Sequence, residues 1–158
     1  MSDNITMNEV DLFELRQPEH LFSEIQKAMV EYYSEPNSRL LLFLLFSLNH
    51  LREWIAGAGY EFLEEKRRSG QTLLPREKLY FCLWEMEEFK IINSLCNRSK
   101  HVSVRRGGAL TSVTSGFTCE SPCNDSLDQT YYRIDGVDSR DIFLPVLRQY
   151  HDWFASIS

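Results

Sequence analysis

From residue 18 onward the apolar positions recur at helical spacing. Leu21, Phe22, Ile25, Met29 and the pair Tyr32/Tyr33 follow Pro18, which suits a first helical position. Pro36 ends that helix, because it lacks a donor and turns Glu35 away from helical geometry. A second helix is predicted from 38 to about 67. Its first half, 40–46, is apolar all round, which predicts a central helix covered on all sides. Gly57 and Gly59 mark a bend or a close crossing in it, and Ser69-Gly70 closes it after a basic last turn. A third helix begins near Pro75 and extends to about His101.

Residues 102–135 lose that period. Gly107, Gly108 and Gly116 punctuate a Ser/Thr-rich stretch in which 109–117 and 129–134 are β-prone, so a small hairpin or sheet is expected. Asp135-Gly136 is a turn, and Asp138 or Ser139 caps a last helix. Ile142, Phe143, Val146, Leu147, Tyr150, Trp153 and Phe154 form its apolar side, with Pro145 as a kink point. The expected fold is mainly α: a four-helix bundle with two long central antiparallel helices and a small β-hairpin or sheet inserted between helices 3 and 4. It forms a single domain over 1–158, with 1–17 as an extended lead-in and 102–135 as a β excursion.

Composition narrows the functions. At 43% hydrophobic and 25% charged residues, general disorder is excluded. A net charge of −6 excludes a chain that coats nucleic acid with its whole surface, since phosphate contacts need cations. The dense basic patch lies at 98–106, with Arg98, Lys100, Arg105 and Arg106. No basic stretch leads into an apolar run at the N-terminus, and the apolar run 40–48 falls short of the roughly 20 residues that span a bilayer. A cytoplasmic protein without membrane association is expected. Cys82 and Cys96 fall in the third helix, where a thiol behaves as a small buried hydrophobe. Cys119 and Cys123 make a CxxxC without a second ligand pair, so no metal is expected there, and no dinucleotide, P-loop or other cofactor fingerprint is present.

The third helix carries the candidate chemistry. Leu79, Cys82, Leu83 and Met86 share one stripe, and its continuation brings Lys90, Asn93, Asn97, Lys100 and His101. An apolar seam thus turns into amide, ammonium and imidazole, which predicts a polar pocket or network. A plain helix end complementing its dipole is the competing explanation. His50 in the second helix is a further candidate for the same pocket. Trp54 and Trp84 read as core, and His20 and His151 as surface.

His50-Leu51-x-x-Trp54, Asn93-x-x-x-Asn97-x-x-Lys100-His101 and Tyr132-x-x-Asp135-Gly136 together resemble the HEPN class of helical bundles (higher eukaryotes and prokaryotes nucleotide-binding), in particular its bacterial and phage relatives. That resemblance implies a metal-independent RNase, usually a homodimer, with His101 as the catalytic histidine. The family motif also needs an arginine to hold the scissile phosphate, but Ser94, Leu95 and Cys96 stand where it falls. The reading is therefore binding of RNA or nucleotide, through Asn93, Asn97, Arg98, Lys100, Arg105, Arg106 and His50, rather than efficient catalysis. The alternative is a non-catalytic interaction or inhibitor protein of a phage or mobile element, docking on a host or defence complex.

Overall fold

The computed structural model of the chain describes residues 12–100 and 108–158. Its elements run α1 (Pro18–Ser34), α2 (Ser38–Ala56), α3 (Tyr60–Arg68), α4 (Pro75–Glu85), α5 (Glu87–Lys100), β1 (Thr111–Ser115), β2 (Thr130–Ile134), β3 (Val137–Asp138) and α6 (Ser139–Ile157). Of the lead-in, only a turn from Leu12 falls within the described residues, with Leu15 N–H bonded to the Leu12 carbonyl.

The chain is mainly helical with a small antiparallel sheet, but each of the two long helices expected from the sequence is broken. The first break follows local chemistry. Gly57 adopts a left-handed φ of 71° and its N–H returns to the Glu53 carbonyl, so α2 ends in a glycine cap. The axis turns by 47° before α3 resumes. The second break has no glycine or proline. Met86 is extended (φ −73°, ψ 128°), and Lys90 N–H restarts the ladder on its carbonyl. Among the described residues six helices therefore replace the expected four. Already within α4 the stripe drawn through Cys82 does not hold, since Leu79 and Leu83 are buried but Cys82 is exposed, and the break then shifts the helical phase before Lys90 and Asn93.

As expected for a central helix, α2 packs against α1, α4, α5 and α6. Leu44, Leu48 and Leu51 are fully buried there, although Leu42 and Phe43 face outward, so its first turns are not covered on every side. Phe22 of α1 stacks on Phe154 of α6, with ring centroids 4.6 Å apart. Two buried tyrosines find partners across the core. Tyr150 Oη donates to the Leu48 carbonyl at 2.7 Å, and Tyr32 Oη shares a 2.7 Å bond with Ser139 Oγ. Trp54 and Trp84 are half-buried against this core. Asn37 caps α2, its side chain accepting from Leu40 N–H, and Asp138 caps α6 through Arg140 N–H.

At the start of α4, Glu77 is buried yet ionised. Burial alone raises its pKa, but two bonds from Lys66 Nζ (2.9 and 2.8 Å) and one from Leu74 N–H (2.7 Å) outweigh it, and the carboxyl ends below 4.5. That ion pair joins α3 to α4.

The sheet has the order β1-β2-β3. Asp135 and Gly136, both at positive φ (51° and 81°), form the tight turn between β2 and β3, a two-residue strand that the sequence pattern does not register. β2 buries Tyr131 and Ile134, whereas β1 is exposed along its whole length. The long loop between β1 and β2 is held from beneath by Arg140. This guanidinium, 2% exposed, bonds both oxygens of Asp125 (3.0 and 2.8 Å), reaches Asp138 at 2.8 Å and donates to the Tyr33 carbonyl at 2.9 Å. Tyr131 Oη adds a bond to Asp125. One buried cation thus ties the loop, the end of α1 and the start of α6 together.

Candidate functional site

α2 and α5 lie side by side, and their contact is where the polar residues singled out from sequence gather. Asn93, Asn97 and Lys100 are spaced i, i+4, i+7, so they follow one face of α5. Their exposure is graded: Asn93 is half-buried, Asn97 and Lys100 are exposed, and Arg98 beside them is half-buried. His50 of α2 is half-buried within the field of Lys100. Burial is the main force lowering its pKa below the ordinary 6.5 and Lys100 adds to it, while Glu53 opposes both. The imidazole is therefore neutral at pH 7 and offers one donor and one acceptor rather than a charge. His101, Arg105 and Arg106 lie outside the described residues.

The packed side of the contact holds residues that the sequence pattern passes over. Asn49 is buried, and its Nδ2 donates to Cys96 Sγ at 3.5 Å. Burial raises the Cys96 thiol pKa, so it is a protonated core residue as expected. Arg52, one turn beyond Asn49, is 5% exposed and donates through Nη2 to Asn93 Oδ1 at 3.3 Å. Its guanidinium carbon lies 4.4 Å from the centroid of Tyr80, 5.2 Å from that of Trp84 and 4.6 Å from that of Phe89. Tyr80 and Trp84 belong to α4, Phe89 and Asn93 to α5. Arg52 therefore fills the elbow at Met86, which gives the break in the helix its physical reason. The signal for Arg52 was present in the sequence: a charged residue on the same stripe as Leu48, Leu51 and Ile55 is a buried charge in waiting.

Among the described residues, no carboxylate pairs with Arg52, Arg98 or Lys100. Arg98 reaches across to Gly108. A Cβ at Gly108 would overlap the Arg98 guanidinium, so the glycine leaves that cation its room. The arrangement thus offers one outward cation, Lys100, with two amides and a neutral imidazole along one face, and a second cation, Arg98, on another side of the same helix end, which suits an anion carrying hydrogen-bond acceptors.

Two other features lie away from this contact. Cys119 and Cys123 are exposed, and among the described residues no three His, Cys, Asp or Glu side chains converge on a metal position. A polar cleft of about 250 Å³ lies over the Arg140 network, walled by Tyr33, Ser121, Tyr131 and Arg133. His20 and His151 are on the surface, as their positions in the pattern indicate. Among the described residues, no single helix is long and apolar enough to cross a membrane. No family model, curated protein or solved structure matches the chain.

Proposed function

We propose that this chain is a HEPN-like domain that binds RNA or nucleotide through the exposed face of α5 and the adjoining edge of α2, without efficient catalysis. In this reading α1, the α2–α3 pair, the α4–α5 pair and α6 are the four limbs of the bundle. The observation that carries it is the strip running from His50 and Asn93 to Asn97, Arg98 and Lys100, whose cations have no carboxylate partner among the described residues. In a chain of net charge −6, unneutralised cations grouped at one helix end favour a phosphate-bearing ligand. Catalysis is not part of the proposal, because α5 lacks an arginine at the motif position.

Fluorescence polarisation with a labelled single-stranded RNA tests it. The full chain should bind at low salt, and the double substitution Arg98→Ala, Lys100→Ala should weaken binding by about tenfold. Absence of binding at low salt, or equal binding by the double variant, rejects the reading. A second reading, docking of a protein partner by strand addition, is favoured by one observation: β1 is exposed throughout, with Val113 62% exposed. A chain that binds no RNA but retains a stoichiometric protein partner, lost on Val113→Lys, would favour that second reading.

A further inference from the structure

Arg52 is a buried cation with no carboxylate in ion-pair contact among the described residues. The three rings around it offer π faces and offset part of the cost of burial, but none of these residues accepts a hydrogen bond from it. Nε and Nη1 have no hydrogen-bond partner among the described residues, and neither have the neighbouring Tyr80 Oη and Asn49 Oδ1. The single bond of Arg52 goes to a neutral amide oxygen at 3.3 Å, longer than the roughly 2.7–2.9 Å of a charge-assisted pair. Asn93 Oδ1 thus stands where an anionic oxygen would bind better.

There is also an approach. Lys100 and Asn97 are exposed, Asn93 is half-buried and Arg52 is buried, so exposure falls along the i, i+4, i+7 face of α5 toward Asn93, the residue that bonds the guanidinium. We propose that Arg52 is an oxyanion-binding residue: a phosphate oxygen displaces Asn93 Oδ1, accepts from Arg52, and Asn93 turns its amide N–H onto the same anion. Lys100 and Asn97 line the entry. This rests on the nucleotide-binding reading for the choice of phosphate among oxyanions; the unpaired cation and its exchangeable acceptor stand on geometry alone. The phosphate is either a free one, inorganic or at a nucleotide end, or the phosphodiester of an RNA strand.

Thermal unfolding of the full chain in inorganic phosphate, against chloride at equal ionic strength, is the test. At ten times its dissociation constant, phosphate should raise the melting temperature by about 4 °C. Arg52→Met, which keeps the packing and removes the charge, should abolish the rise. Asn93→Asp guards against a variant that fails to fold, since it puts a carboxylate against Arg52 as an internal competitor. It should melt higher than the parent and show no response to phosphate. A parent chain that does not respond, or an Asn93→Asp chain that responds as the parent does, overturns the proposal. A single-stranded RNA arm separates the sources and the two readings. RNA binding weakened by Arg52→Met as well as by Asn93→Asp places the phosphodiester at Arg52. RNA binding untouched by Asn93→Asp leaves the surface reading standing and removes this one. A phosphate response sensitive to Asn93→Asp, with no RNA binding, keeps Arg52 as a free-phosphate site and removes the RNA reading.

Discussion

His50 shows how the site couples to the stability of the chain. Burial, aided by Lys100, lowers its pKa below 6.5, so between the folded and unfolded values the unfolded chain binds the extra proton. The stability that His50 contributes is therefore fully present above pH 6.5 and is lost as pH falls through the lowered value. Urea unfolding at pH 7.5, 6.5 and 5.5 should show stability falling with acid, and His50→Gln should flatten part of that fall. An unchanged slope in the variant would mean that the imidazole titrates alike in both states. The same residue illustrates what the sequence reveals at this scale. His50, Asn93 and Lys100 are legible as candidates because polar residues on a packed stripe stand out. Their mutual placement depends on the α2–α5 crossing, which no residue spacing encodes.

At the level of elements, the loop between β1 and β2 depends on one buried ion network. The pKa of Asp125 is lowered chiefly by its bonds from Arg140, so it is ionised in the folded state. Asp125→Ala should destabilise the chain by about 2 kcal/mol, less than the roughly 3–5 kcal/mol of an orphaned buried charge, because Asp138 still pairs with Arg140. The denaturation midpoint should fall, and a protease should cut within 117–128 before global unfolding. A midpoint and cleavage pattern equal to the parent's would show that the network does not hold the loop. Which elements the sequence displays follows from how local their causes are. α1, the β1–β2 hairpin and α6 are bounded by Pro18, Pro36, the glycines and Asp138, and they appear where the pattern predicts. The turn at Gly57–Gly59 is equally local, since only the backbone of a glycine accepts φ 71° without strain. The break at Met86 is not local: Trp84-Glu85-Met86-Glu87 favours a continuous helix, and the Arg52 guanidinium packed between Tyr80, Trp84 and Phe89 overrides that preference. The fully exposed β1 is legible as β-prone but not as an edge, because strand order is a property of the sheet.

For the molecule as a whole, net charge and local charge act in opposite directions. A chain at −6 repels a polyanion at distances beyond the Debye length, roughly 8 Å at physiological ionic strength, so binding depends on the few cations that touch phosphate directly. In the proposed reading Arg98 and Lys100 are two of these, and Arg105 and Arg106, which follow in the sequence, bring the candidates to four. Each neutralised phosphate of a single strand releases counterions, so log K should fall against log salt with a slope of about −0.7 per contact. Two to four contacts give a slope between about −1.4 and −3. Measured by polarisation between 50 and 200 mM salt, roughly, that slope counts the contacts directly. A slope steeper than about −5 would require a basic surface far larger than this strip and would place the interface elsewhere. A slope near zero would mean that the ligand is held without phosphate contacts, and neither Lys100 nor Arg98 would then have the role proposed.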